Sequence, residues 1–158
     1  MIKFQYIIFS STETFKFRLK ESVSFNFDKN LGKWQLLDPQ SEEVVAICNN
    51  NIIEIKAGYM WDGSTVIGEY YEDHETLEAS LLHDVLYNVK KNPDNIEVPF
   101  SLFEADRIFR DLLLKLYENN ESYFKRKLFP RLYYLGLITL GIPWKFGNNE
   151  YYKLKKAD

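Results

Sequence analysis

The sequence predicts an α+β fold: an antiparallel sheet from roughly Ile2 to Ala57, followed by about three packed helices. Two patterns and one limit carry that reading. Apolar residues alternate with period two through the first third of the chain, as a half-buried strand requires. After the acidic stretch Glu69–Glu75 the spacing becomes helical. A length of 158 residues fits one core and one domain, since domains commonly run about 100–200 residues. The divisions expected within it are residues 1–57 mainly as strands, 58–75 as a site loop, 76–146 as the helical part and 147–158 as a tail.

The opening M-I-K-F-Q-Y-I-I-F-S-S reads as a first strand, because its apolar run is too short and mixed for a signal peptide. Phe15, Phe17 and Leu19 then share one face, with Lys16, Arg18 and Lys20 on the other. Val23, Phe25 and Phe27 repeat the pattern against Ser22, Ser24 and Asn26, and D-K-N-L-G at Asp28–Gly32 marks a turn. Trp34–Leu37 is a short strand closed by Asp38-Pro39, Val44–Cys48 is one closed by Asn49–Asn51, and Ile53 and Ile55 alternate with Glu54 and Lys56. The sheet is expected to meander.

Leu77, Leu81, Leu82, Val85, Leu86 and Val89 cover so much of a helix circumference that this helix should be central. Lys91-Asn92-Pro93-Asp94 stops it. Ser101 followed by Glu104 is a capping-box start, and the second helix carries the stripe Leu102, Ala105, Phe109, Leu112, Leu113, Leu116. A third helical region begins near Tyr123, with Pro130 either opening a helix or kinking one. Leu128–Trp144, the most hydrophobic segment, is interrupted by Pro130, Arg131, Gly136, Gly141 and Pro143. It reads as a buried helix, being shorter than the ~20 apolar residues of a membrane span. The ending K-L-K-K-A-D reads as frayed and solvated.

Composition bounds the function classes. A net charge of −3 gives no general attraction to nucleic acid. One cysteine, Cys48, excludes an intramolecular disulfide and a Cys-rich zinc site. An aromatic content of 16% favours sheet surfaces and thick helix contacts.

Two anomalies break the apolar patterning. His83 and Asp84 sit side by side in L-L-H-D-V-L-Y, and Asp106 falls inside the stripe of the second helix rather than opposite it. A buried polar group without a partner costs roughly 2–7 kcal/mol, and an isolated ion far more, so these groups require partners, a metal or water. Adjacent helix residues point about 100° apart, so His83 and Asp84 should face different partners. Asp62-Gly63-Ser64-Thr65 reads first as a turn, Trp61 as a core or loop anchor, and His74 in E-D-H-E as a solvated face. Arg107 and Arg110 have Glu104 and Asp111 within helical reach. The pairs Tyr70-Tyr71 and Tyr133-Tyr134 read as packing.

The ordered motifs A-G-Y-M-W-D-G-S-T, L-L-H-D-V-L-Y, E-A-D-R-I-F and Y-Y-L-G-L-I-T-L-G resemble those of a phage-associated domain-of-unknown-function family, number 1353. The resemblance runs from Ala57 to Trp144 and departs from the family at Val66-Ile67-Gly68. It implies a bacteriophage or prophage protein, acting in the cytoplasm of the infected host or in the virion. A weaker local resemblance is to the H-D-x-x-Y helix of the phospholipase A2 superfamily. That resemblance implies His83 as general base, Asp106 as the carboxylate that orients it, Tyr87 as a brace on that carboxylate, and Asp84 as a calcium ligand. The disulfides of those enzymes are absent, and the glycine-rich calcium loop is reduced to Gly58 and Gly63 around Asp62.

Two expectations from different classes follow. One is a small hydrolase, metal-assisted, with His83 and Asp106 as the acid–base pair and Asp84 and Asp62 binding a divalent cation, calcium before others. The other is a non-enzymatic phage protein, a virion component or a host-factor-binding protein, in which the polar cluster only clamps two helices and a loop. The two weigh about equally.

Overall fold

The computed structural model describes residues 6–8, 17–63, 73–91, 97–139 and 153–157. The chain forms two compact units: Met1–Asp62 with Asn88–Phe100 and Asn148–Asp158, and Gly63–Tyr87 with Ser101–Gly147. The antiparallel sheets come first and three helices follow, as expected for an α+β protein.

The first unit holds the strands. A small sheet joins β1 (Tyr6–Ile8), β2 (Phe17–Leu19) and β7 (Met60–Trp61) in the order β1-β2-β7. A larger one joins β3 (Val23–Asn26), β4 (Lys33–Leu37), β5 (Val44–Asn49), β6 (Ile52–Ile55) and β8 (Lys153–Lys156) in the order β3-β6-β5-β4-β8. Every pairing is antiparallel. The alternation holds where it is described: Phe17 and Leu19 are buried and Arg18 exposed, and Ile53 and Ile55 are buried around half-buried Glu54.

Three expectations are corrected in this unit. The meander covers only β4, β5 and β6; β3 pairs with β6, not with β4. The β3–β4 connection is held at the end of the sheet by the asparagine turn, where Phe27 N–H donates to the Asn51 carbonyl and Leu31 N–H to that of Asn50. Asn50 N–H in turn donates to the Gly32 carbonyl. The run read as a frayed tail is β8, paired from Lys153 to Lys156 along β4, with Leu154 buried opposite Leu36. Its alternation of Lys and Leu is too short to weigh as a strand without the β4 edge that receives it. Met60-Trp61, placed in the site loop, is also a strand, and Trp61 is fully buried with its ring 5.3 Å from Phe17.

The helices are α1 (His74–Lys90), α2 (Leu102–Leu116) and α3 (Phe129–Thr139), with a π-helical turn at Phe124–Leu128 leading into α3. The capping box at Ser101 and Glu104 is complete: Ser101 Oγ accepts from Glu104 N–H, and the Glu104 carboxylate accepts from Ser101 N–H. Pro130 is the second residue of α3 and is preceded by the π turn. A proline there has no N–H to give the carbonyl four residues back, and the Phe129 N–H reaches five back, to Phe124. The second unit's core gathers Ala79, Phe109, Leu113, Tyr117, Phe129, Tyr133 and Leu137.

The expectation of a buried third helix is corrected too. α3 buries Phe129, Tyr133 and Leu137, while Leu132 and Leu135 are exposed, as is Leu128 of the π turn. Total hydrophobicity pointed inward, but a helix has two faces and the core occupies one. No helix among the described residues is long and apolar enough to cross a membrane.

Candidate functional site

Asp106 is the one carboxylate that is fully buried among the described residues. The capping box fixes where α2 starts, and Asp106 is buried on that helix together with Ala105 and Phe109. His83 and Tyr87 lie one turn apart on α1, on the same face. His83 Nε2 is 2.9 Å from Asp106 Oδ1, and the Tyr87 hydroxyl donates to the same oxygen at 2.6 Å. A carboxylate accepts only, so Nε2 is the donor in this contact.

Rings fix the imidazole in place. The Tyr87 ring centroid is 4.2 Å from that of His83, and Phe109 meets it edge-on at 5.3 Å. Phe109 is held in turn by Tyr133 at 4.8 Å. Among the described residues the one hydrogen bond of His83 is through Nε2, and the side chain keeps 15% of its surface exposed. Nδ1 is the ring nitrogen that does not meet Asp106. Burial, together with the Asp106 carboxylate, pushes the Tyr87 phenol well above its ordinary pKa, so it stays a proton donor.

The structure brings together His83, Tyr87 and Asp106, the three residues grouped in the sequence reading as base, brace and carboxylate. The two residues assigned to a cation are placed differently. Asp84 is half-buried on α1, about 100° around the helix from His83. Asp62 is exposed and belongs to the strand unit. No group of three or more His, Cys, Asp or Glu side chains that could hold a metal ion occurs among the described residues. Ser64, Thr65, Tyr70 and Tyr71 lie outside the described residues.

A second polar cluster is one that the sequence patterning does not single out. Asp73 caps α1: its Oδ1 accepts from the Thr76 N–H at 3.0 Å and the Thr76 hydroxyl at 2.7 Å, and the Tyr117 hydroxyl also donates to it. Lys125 Nζ donates to Oδ2 at 2.8 Å. Burial alone would raise the Asp73 carboxyl, but the bonds from Lys125, Tyr117 and Thr76 outweigh it and hold the group below its ordinary pKa. The signal is present as Asp-x-x-Thr ahead of the helical pattern, hidden within the acidic run. The cluster ties the first turn of α1 to the end of α2, while the His83–Asp106 contact lies farther along α1 and nearer the start of α2. The helices therefore run antiparallel.

The surrounding single residues follow their simplest readings. His74 is exposed, Arg110 pairs with Asp111 at 2.7 Å and lies 5.0 Å from the Tyr134 ring, and Tyr133 is core.

A family model described as "Protein of unknown function (DUF1353)" matches residues 34–129. The match starts in β4 and ends at the first residue of α3, so it includes strands outside the motif resemblance and leaves out most of the final helix. His83, Tyr87 and Asp106 all lie inside it. No curated protein and no solved structure matches the chain. The match spans well over half of the 158 residues, and the chain belongs to the DUF1353 family.

Proposed function

We propose that this DUF1353 member is a small hydrolase that activates water with His83. The carrying observation is the fixed direction of the imidazole: Nε2 is tied to a fully buried carboxylate, and the ring is still partly open to solvent. A base so held needs no reorientation when it takes a proton.

Water gives one proton to His83 Nδ1 while its oxygen bonds to the electrophilic centre of an ester. The Asp106 carboxylate stabilises the imidazolium that results. The leaving alkoxide then takes that proton from Nδ1, and the ring is neutral again. Tyr87 holds Asp106 and keeps its charge aimed at Nε2. Every group in this step belongs to the chain, the substrate or water. A phage or prophage origin, inferred from the motif resemblance, completes the proposal and puts the activity in an infected bacterium.

The test is a panel of chromogenic acyl esters and phosphodiesters, with and without chelator and with added calcium. Turnover by the wild type that is lost in His83→Ala and Asp106→Asn supports the reading. Absence of turnover on the whole panel, or turnover indifferent to both substitutions, sinks it. The second reading, a virion or host-binding protein with a structural clamp, is favoured by the pair's other property: its bonds join α1 to α2. Under that reading both substitutions lower stability and change nothing else.

A further inference from the structure

The π turn and α3 present two apolar faces, and only one is used by the core. Phe129, Tyr133 and Leu137 are buried. On the opposite side Phe124 is 42% exposed, Leu128 42%, Leu132 49% and Leu135 51%. Their spacing of four, four and three residues lines them up along one helix side. Exposed apolar residues scattered singly need no explanation, whereas a contiguous row of this kind marks an interaction surface.

Charge identifies the partner. From Ser122 to Thr139 the chain has Lys125, Arg126, Lys127 and Arg131 and no Asp or Glu, although the whole protein carries −3. Lys125 is committed to Asp73, but Lys127 and Arg131 are exposed and flank the apolar row. A row of Leu and Phe edged by exposed cations is the pattern of a helix lying in an anionic lipid interface, its apolar side among the acyl chains and its cations at the headgroups.

Other occupants fit less well. A second copy docking symmetrically by this face would bring the cations Lys127 and Arg131 of one copy onto the same basic face of the other. A nucleic-acid backbone would use the cations and leave the leucines in water. No helix among the described residues is long and apolar enough to cross a membrane.

We propose that the face formed by Phe124, Leu128, Leu132 and Leu135, with Lys127 and Arg131, docks this protein on an anionic membrane surface. This does not depend on the chemistry at His83.

The experiment is vesicle co-sedimentation of the full chain. Vesicles of phosphatidylcholine alone are compared with vesicles of phosphatidylcholine and phosphatidylglycerol in equal parts. The wild type should pellet with the anionic vesicles and stay in solution with the neutral ones. Lys127→Gln with Arg131→Gln should weaken binding roughly 30-fold, the loss of two surface cations. Leu132→Gln with Leu135→Gln should abolish it while leaving the melting temperature within a few degrees, because both side chains are already exposed. Failure of the wild type to bind anionic vesicles overturns the proposal, as does unchanged binding by the leucine variant. A wild-type dimer that the leucine variant converts to monomer would assign the face to a second copy and also overturn it.

Discussion

Replacing Asp106 by Asn separates the two readings of the central cluster, because it keeps shape and removes charge. In the native site Oδ1 receives two hydrogen bonds, from His83 Nε2 at 2.9 Å and from the Tyr87 hydroxyl at 2.6 Å. A bond to a charged acceptor contributes about 1.5–3 kcal/mol and a neutral one about 0.5–1.5, so two weakened bonds cost about 2 kcal/mol. Relief of burying an ionised carboxylate offsets part of that, and the net loss should lie between about 0 and 2 kcal/mol. Denaturant unfolding measures it.

The electrostatic consequence is larger. An imidazolium and a carboxylate about 4 Å apart attract by about 4 kcal/mol at an effective dielectric of 20. Losing even most of that from the charge-separated step should slow turnover by more than about 100-fold. The ester assay reads the rate, and the nitrogen spectrum of His83 reads the cause. In the wild type Nε2 should carry the proton and Nδ1 the lone pair. In Asp106→Asn, an introduced amide that turns its NH2 toward the ring should push the proton to Nδ1 and remove the base. A wild-type tautomer with the proton on Nδ1, or a variant as fast as the wild type, would refute the reasoning.

Two further predictions concern stability. Asp73 is held below its ordinary pKa in the folded state, so its contribution is present above the unfolded value, near pH ~4, and is lost as pH falls through the folded value. Urea melts across the acid range should show the wild type losing stability there and Asp73→Asn, already less stable at neutral pH, losing less on acidification; parallel curves would show that Asp73 does not contribute. Gly32 takes φ +87°, and a Cβ added there would meet Pro99 Cδ at 3.0 Å. Gly32→Ala should therefore cost about 1–3 kcal/mol in a thermal melt, and an unchanged melting temperature would contradict that backbone conformation.

The strands and helices were legible because their signals are local. Alternation located β2 to β6 within a residue or two of their ends, and the Ser101–Glu104 box located the start of α2. The elements missed were those whose reason lies elsewhere in the chain. β8 has one apolar residue buried against a sheet more than a hundred residues away in sequence, and α3 looked like a core helix because composition does not say which face the core will take.

The candidate site divides in the same way. By itself the sequence determined that His83 and Asp106 are polar residues placed on apolar helix stripes, and that His83 and Asp84 cannot face the same partner. Burial without a partner is too costly for such placements to be neutral. The pairing of Asp106 with His83 and Tyr87, expected from the sequence only through a resemblance, is made by the tertiary structure, and that structure alone decided that Asp73, part of the acidic stretch Glu69–Glu75, caps α1 and joins it to Tyr117 and Lys125. A hydrogen bond depends on where two side chains end up to within a fraction of an ångström. Helical periodicity fixes the side of a helix, whereas the position of its neighbour is fixed by packing.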